Sequence, residues 1–350
     1  MAIRRYPLSL QTSYADLVDK LEDQALQGVT AAGGSYVSKT VKAKRYWYFQ
    51  TMRGGKRVQL YCGPESAELL DRIARSRRNL SSERERRDTV RALARGYRIS
   101  VQPKVGRVLA ALADAGVFRL RAVLVGTAAY QTYGPMLGVG LPAASLMTED
   151  IDLAQFHSIS IAIEDKVETG LIAALQAVDP GFAPVTQPFY EPHIISFQAP
   201  GGLKVEFLSP MRGPTSDTSV PLPALDTAAQ PLRFLDFLIY REIKACALYG
   251  AGILLNVPDP TRYALHKLII SQRPGRRPEK AAKDVIQAQS LLDVLCEDRP
   301  GDVGDYWHEL AARGPKWVEL ARRGARLLRP DLAQHLWALA GGEGGPKAAP

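Results

Sequence analysis

Hydrophobic residues recur in two rhythms along this chain of 350 residues. Helical spacing marks residues 8–30, where Tyr14, Leu17, Val18, Leu21 and Leu26 form one stripe, and residues 105–118, which stop at Gly116. It returns over 167–178, 263–271 and 279–295, and two more helices are expected within 307–339. Short β-prone runs fall at 36–41, 46–52 and 57–62, with Gly54-Gly55 suited to a tight turn between the last two. Further strands are expected at 122–125, 150–153 and 158–163, and a hairpin around Pro200-Gly201-Gly202. The charged stretch 65–98 reads as a helix with Ser81 or Ser82 as its cap. Residues 211–233, rich in Pro, Ser and Thr, read as a surface connection, and 234–260 as apolar and strand-rich.

These elements predict an α/β (α+β) core over 101–215 built on a mixed sheet, and a mainly helical region over 216–340. A small basic, aromatic β-containing region (1–64) and a charged helical linker (65–100) precede the core, and a disordered tail (341–350) ends the chain.

Composition narrows the classes. Apolar residues make up 46% and charged residues 23%, as in an ordinary globular protein. No apolar run reaches the roughly 18 residues of a membrane span, and no apolar h-region follows Arg4-Arg5, so a cytoplasmic protein is expected. Cys62, Cys246 and Cys296 are scattered without metal spacing, and the five histidines stand singly, which argues against zinc. There is no P-loop, and no dinucleotide-binding glycine motif follows a strand. A net charge of +9 favours phosphate-bearing partners without naming one.

The sharpest chemistry lies in Asp150-Ile151-Asp152-Leu153. On a strand, side chains alternate faces, so the two aspartates share one face while Ile151 and Leu153 are buried behind it. Two neighbouring carboxylates ionise together only near cations, and Mg²⁺ is the usual partner of such a pair, with Mn²⁺ as its substitute. Glu206, in LKVEFLSP, sits mid-strand on a mixed face, an awkward place for an acid with no task. Glu164 and Asp165 are the rival third carboxylate.

The order strand, Gly126-Thr127, helix, Asp150-x-Asp152, hairpin with Glu206 resembles the polymerase-beta-type nucleotidyltransferases. That superfamily carries Gly-Gly or Gly-Ser at the turn; here Thr127 replaces the commoner residue, and the gap to Asp150 is longer than in minimal members. The resemblance extends through PDPTRYALHKLIISQR and KAAKD to bacterial stand-alone nucleotidyltransferases, and more distantly to abortive-infection and toxin nucleotidyltransferases. It implies that Asp150, Asp152 and Glu206 hold metal and carry catalysis, and that Gly126 and Thr127 approach the triphosphate. Lys267 corresponds to the helical lysine that holds the triphosphate, and Asp284 to the acid of a Lys-Asp pair, with Arg273 and Lys283 carried over beside them. The implied reaction moves a nucleoside monophosphate from an NTP to a hydroxyl of RNA (tRNA among the candidates), DNA or protein, with an antitoxin-like partner in a toxin-like member.

The β-prone stretch near the amino terminus interleaves Lys42, Lys44, Arg45, Arg53, Lys56 and Arg57 with aromatics including Trp47. Cations meet phosphates and rings stack on bases, so these seven residues are candidate nucleic-acid contacts. A small sheet also needs aromatics for its own core and basic residues on its edges. The stretch resembles the three-stranded arm-binding sheets of integrases over about thirty residues. The rival class is a nucleic-acid-binding protein with a vestigial transferase core.

Overall fold

Apolar strands too short to stand alone are buried here on both sides of one sheet. The computed structural model describes residues 4–26, 35–41, 44–53, 56–142, 150–163, 166–167, 170–185, 194–211, 213 and 218–341. The chain begins with β1 (Arg4–Arg5), α1 (Leu8–Leu26), β2 (Ser35–Val41), β3 (Lys44–Arg53), β4 (Lys56–Pro64) and α2 (Ala67–Tyr97). The middle comprises α3 (Pro103–Asp114), β5 (Val123–Val125), α4 (Gly126–Leu137), β6 (Val139–Gly140), β7 (Asp150–Ala154), α5 (His157–Ala162), α6 (Leu171–Val178), β8 (Ala183–Pro184), β9 (Ser196–Gln198) and β10 (Lys204–Pro210). Then follow β11 (Val220–Leu222), β12 (Thr227–Leu232), α7 (Leu235–Leu238), β13 (Glu242–Ala247), β14 (Ile253–Pro258), α8 (Pro260–Ser271), α9 (Pro278–Asp298), α10 (Pro300–Ala312), α11 (Pro315–Ala325) and α12 (Pro330–Leu339).

The central sheet runs β11-β12-β10-β7-β5, with β9 added to β10 and β8 to β9. It is mixed: β10 lies parallel to β7 and β12, whereas β5 is antiparallel to β7 and β9 to β10. The β9–β10 pair is the hairpin expected around Gly201-Gly202. Residues 211–233, expected as a bare connection, instead supply β11 and β12, so the sheet runs past residue 215 to Leu232. Pro221 is tolerated because β11 is an edge strand, where a missing N–H breaks no ladder.

Residues 158–163, expected as a strand, form α5 instead. Both edges of β7 are already taken, by β5 and β10, so a further strand has no free partner there. Helical bonds such as Ile163 N–H to the Ile159 carbonyl (3.0 Å) satisfy the backbone locally. The charged helix is a single α2 of 31 residues, capped not by Ser81 or Ser82 but by Ser66, whose side chain accepts from Leu69 N–H at 3.2 Å. Three helices, α10 to α12, occupy the stretch from which two were expected. Among the described residues, no helix is long and apolar enough to cross a membrane.

One apolar cluster extends from Val105 on α3 through the sheet to Ala340, so sheet and carboxyl-terminal helices share a core. A second joins Tyr14, Leu17 and Leu21 of α1 to Val90, Leu93 and Tyr97 of α2 and to Cys246 and Leu248. Tyr14 hydroxyl accepts from Cys246 N–H at 2.9 Å, which ties α1 to the β13–β14 hairpin. The β2–β3–β4 sheet has a small core of its own, with Trp47 packed on Leu69 and Ile73. Helix α1 and the sheet thus pack in different places, although both lie before residue 65.

Candidate active site

Strand alternation aims the carboxylates as the sequence requires. On β7, Asp150 and Asp152 are half-buried and Ile151 and Leu153 fully buried; on β10, Lys204 and Glu206 are half-buried between Val205 and Phe207. The parallel register sets Glu206 opposite Asp152, and Lys204 opposite Asp150. Lys204 ammonium pairs with the Glu206 carboxylate. Burial, then the neighbouring Glu206 and Asp150, push the Asp152 carboxyl up to about 7, against the opposite pull of Lys267 and Lys280. The crowding is electrostatically unfavourable without a cation.

Val125 lies opposite Asp152 in the β5–β7 ladder, so the next residue, Gly126, meets that carboxylate directly. Gly126 has φ +66°, and a Cβ there would stand 2.2 Å from Asp152 Oδ2. Conformation and contact each demand glycine. Helix α4 starts at this residue, which brings its unpaired N-terminal amides to the carboxylates' edge. The turn is braced from behind: Tyr263 hydroxyl donates to the Gly126 carbonyl (2.9 Å) and stands 3.0 Å from Gln287 Oε1, while Gln287 Nε2 donates to Thr127 Oγ1 at 3.4 Å.

Facing the sheet, α8 and α9 run antiparallel and present matched stripes. Tyr263, His266, Lys267 and Ile270 follow helical spacing on α8, as do Lys280, Lys283, Asp284 and Gln287 on α9. Asp284 is only 2% exposed and divides its oxygens, taking Lys267 Nζ at 2.6 Å on one and Arg276 Nε at 2.8 Å on the other. Burial and then Lys267 push the Lys283 ammonium down, despite Asp284. His266 is pushed down to about 3 by burial and by Lys267, Arg273 and Arg276, so its imidazole is neutral.

A cavity of about 790 Å³ collects these groups. Asp150, Asp152, Glu206, Gly126, Thr127, Lys267, Arg273, Lys283 and Asp284, all singled out from the sequence, line it together. Glu164 and Asp165 lie outside the described residues. Sequence reasoning missed Arg233, Arg276, Tyr263, Gln230 and His266, which line the same cavity. For Arg276 a signal existed: Pro274-Gly275 between two arginines is a turn that folds both back onto the end of α8, and Gly275 takes φ +77°.

The amino-terminal candidates are placed elsewhere. Trp47 is 8% exposed in the small core, and its indole N–H donates to Glu65 at 3.0 Å. A ring spent on the core cannot stack on a base without leaving it. Arg45 also pairs with Glu65, at 3.4 Å. Lys42 lies outside the described residues, while Lys44, Arg53, Lys56 and Arg57 are placed only as positions on β3 and β4. The other face of the sheet carries Lys39 over the Tyr48 ring, 5.0 Å from its centroid.

Among the described residues, no three His, Cys, Asp or Glu side chains close a ready-made metal shell. The donor set nevertheless fits a hard divalent cation: only carboxylate oxygens, crowded enough to raise Asp152, beside a cavity with room for a polyphosphate. Mg²⁺ is commonly held by one or two carboxylates plus substrate phosphates rather than by a full protein cage.

A mixed α/β sheet with acids on two adjacent strands, a glycine turn leading into a helix, and a cationic helical wall defines an enzyme built for polyphosphate substrates. Residues 103–312, well over half of the chain, match the nucleotidyltransferase family, and the protein belongs to it. It is accordingly a transferase that moves nucleotidyl groups. No curated protein and no solved structure matches the chain.

Proposed function

We propose that the enzyme transfers a nucleoside monophosphate from an NTP to a hydroxyl of an RNA acceptor. The observation that carries this reading is one cavity with three carboxylates on the sheet and a cationic wall on α8 and α9. Asp150, Asp152 and Glu206 would hold Mg²⁺, or Mn²⁺ in its place. When bound, the ion would neutralise charge on the attacked phosphate and raise the acidity of the acceptor hydroxyl. Glu206 accepts the proton from that hydroxyl, the new bond forms from its oxygen to the α-phosphorus, and the bond from the α-phosphorus to the bridging oxygen breaks. Pyrophosphate departs towards Lys267 and Lys283, whose fixed charges need no reorganisation as negative charge develops. The α4 amides at Gly126 and Thr127 hold the triphosphate from the opposite side.

RNA is preferred as acceptor because Lys39 and Tyr48 present a basic and aromatic surface, and the chain carries a surplus of nine positive charges. DNA and protein hydroxyls are the alternative acceptors. A cytoplasmic, bacterial, toxin-like setting with an antitoxin-like partner belongs to the same proposal, and growth arrest on expression would read it. The test incubates purified protein with each α-labelled NTP, Mg²⁺ and, separately, total RNA, DNA and protein. Label is expected on RNA from one or two NTPs, and none with Asp152→Ala. Unchanged labelling by that variant would refute the carboxylate assignment, and labelling of protein or DNA alone would refute the acceptor.

A further inference from the structure

Beyond Glu206 the sheet continues into a second wall of the cavity. Strand β10 has β7 on one edge and, along the other, β9 and then β12, so β12 and Asp152 stand on opposite sides of the strand that carries Glu206. Along β12, alternation buries Ala229 and Pro231 and leaves Gln230 exposed and Leu232 half-buried on the face that lines the cavity. Leu208 of β10, the register partner of Gln230, lines the same wall. The strand then ends in strain: Phe234 takes φ +70°, a left-handed conformation that costs a bulky side chain dearly. Such strain persists only where the surroundings hold it. The Phe234 ring packs edge-on against Trp317, centroids 4.6 Å apart, and Asp236 two residues on pairs with Arg313. The turn so held sets Arg233 and Leu235, on either side of Phe234, on the cavity wall.

We infer that this wall receives the 3′-terminal nucleotide of an RNA acceptor, with Gln230 reading its 2′-hydroxyl and Phe234 as the positioning residue of the wall. The inference deepens the nucleotidyl-transfer reading above and rests on it. In an in-line displacement the attacking oxygen enters opposite the leaving one. Pyrophosphate leaves towards Lys267 and Lys283, so the hydroxyl enters from the β12 side, past Glu206. Glu206 and Gln230 lie on neighbouring strands two residues out of register, about 8 Å apart at Cα by strand spacing and rise, and both side chains are long enough to meet on one ribose. A ribose with free 2′- and 3′-hydroxyls asks for such a pair. The carboxylate takes the 3′ proton, and the amide, which both donates and accepts, suits the 2′-hydroxyl. Only the last ribose of an RNA strand carries both hydroxyls free, and the 2′-hydroxyl is what distinguishes RNA from DNA. Leu208 and Leu232 offer an apolar face to its base, and Arg233 a guanidinium fork to its phosphate. The ribose of the NTP carries the same diol, and the test separates the two.

The test gives full-length protein, Mg²⁺ and α-labelled NTP one oligoribonucleotide made with a 2′,3′-diol end, a 2′-deoxy end or a 3′-deoxy end. Intact protein should label the diol end, label the 2′-deoxy end with a kcat/KM lower by about tenfold for the one hydrogen bond lost, and leave the 3′-deoxy end unlabelled. Gln230→Leu should abolish the preference for the diol over the 2′-deoxy end. Phe234→Ala should raise KM for the oligonucleotide and not for the NTP, and Phe234→Tyr, which keeps a ring against Trp317, should restore it. Thermal melts check each variant, and exposed Gln230 is a position where substitution leaves the core intact. Equal rates on the diol and 2′-deoxy ends, or a preference that survives Gln230→Leu, would overturn the assignment while leaving nucleotidyl transfer standing. Label on the 3′-deoxy end would place the attacking oxygen at the 2′ position and overturn it as well. If Gln230→Leu changes the choice between NTP and 2′-deoxy-NTP instead, the wall holds the nucleotide and the proposal falls. Label on protein alone would overturn the RNA acceptor, and label on no acceptor at all would sink the transfer reading and the wall with it.

Discussion

Replacing Asp152 by asparagine isolates the charge conflict at the centre of the site. In the folded protein its carboxyl is raised from the ordinary 3.8 to about 7, first by burial and then by Glu206 and Asp150. The folded state therefore holds this proton more tightly than the unfolded state does. Below about pH 4 the group costs nothing; between pH 4 and 7 the cost of ionising it in place grows; above 7 it is complete. At about 1.36 kcal/mol per pKa unit, the full cost is about 4 kcal/mol. Asparagine keeps the shape and removes the charge, so it should be the more stable protein at pH 8 by up to this amount, with the difference vanishing near pH 4. Denaturant unfolding of both proteins at pH 4, 6 and 8 in EDTA reads this directly. Mg²⁺ at a hundredfold excess over its dissociation constant should add about 2.7 kcal/mol to the native protein at pH 8, and much less to the variant. Parallel pH profiles for the two proteins, or equal stabilisation by Mg²⁺, would refute the reasoning.

Three further outcomes are expected. Gly126→Ala places a Cβ against Asp152 Oδ2 in a left-handed conformation, so unfolding should show a loss of roughly 1–2 kcal/mol, while transfer assays show a fall of about a hundredfold or more from the displaced carboxylate. Arg262 is 2% exposed on its side chain and held by Glu309, itself 33% exposed, with the Phe237, Tyr240 and Tyr306 rings around it. Glu309→Ala, which strands a buried cation, should therefore cost about 3 kcal/mol or more and exceed the cost of Arg262→Met, measured in the same denaturant series. Replacing residues 35–64 with a short linker, α1 being kept because it packs on α2 and β13, should flatten the salt dependence of RNA binding and leave the melting of the main body unchanged. Unchanged RNA affinity across a salt series would return the sheet to a structural role.

The geometry of the candidate site was legible because it rests on local rules. A two-residue period puts Asp150 and Asp152 on one face and Glu206 on another strand's matching face, and Gly126 follows a strand end where a turn must form. What was hidden depends on partners distant in sequence. The alternation in 158–163 allows a strand, but β7 has no free edge to receive one. The Pro-rich stretch 211–233 conceals two strands that exist only because β10 offers a neighbour. The division at residue 64 fails to anticipate that α1 is held by Val90, Leu93 and Cys246, which lie up to 232 positions further along the chain from Tyr14. Trp47 reads as a stacking ring until Leu69 and Ile73 are seen beneath it. The Pro274-Gly275 turn hints at where Arg276 lies, but its pairing with Asp284 depends on α9 bringing that carboxylate back to the end of α8.

The most direct test of the account uses one NTP labelled in two positions. Protein, Mg²⁺ and RNA are incubated with nucleotide carrying label on the α-phosphate or, separately, on the γ-phosphate, and the acceptor is recovered free of small molecules. Attack at the α-phosphorus leaves α-label on the acceptor and releases γ-label as pyrophosphate, and Asp150→Ala or Asp152→Ala should abolish the former. Recovery of γ-label on the acceptor, or of α-label undiminished by either substitution, would contradict nucleotidyl transfer at this site.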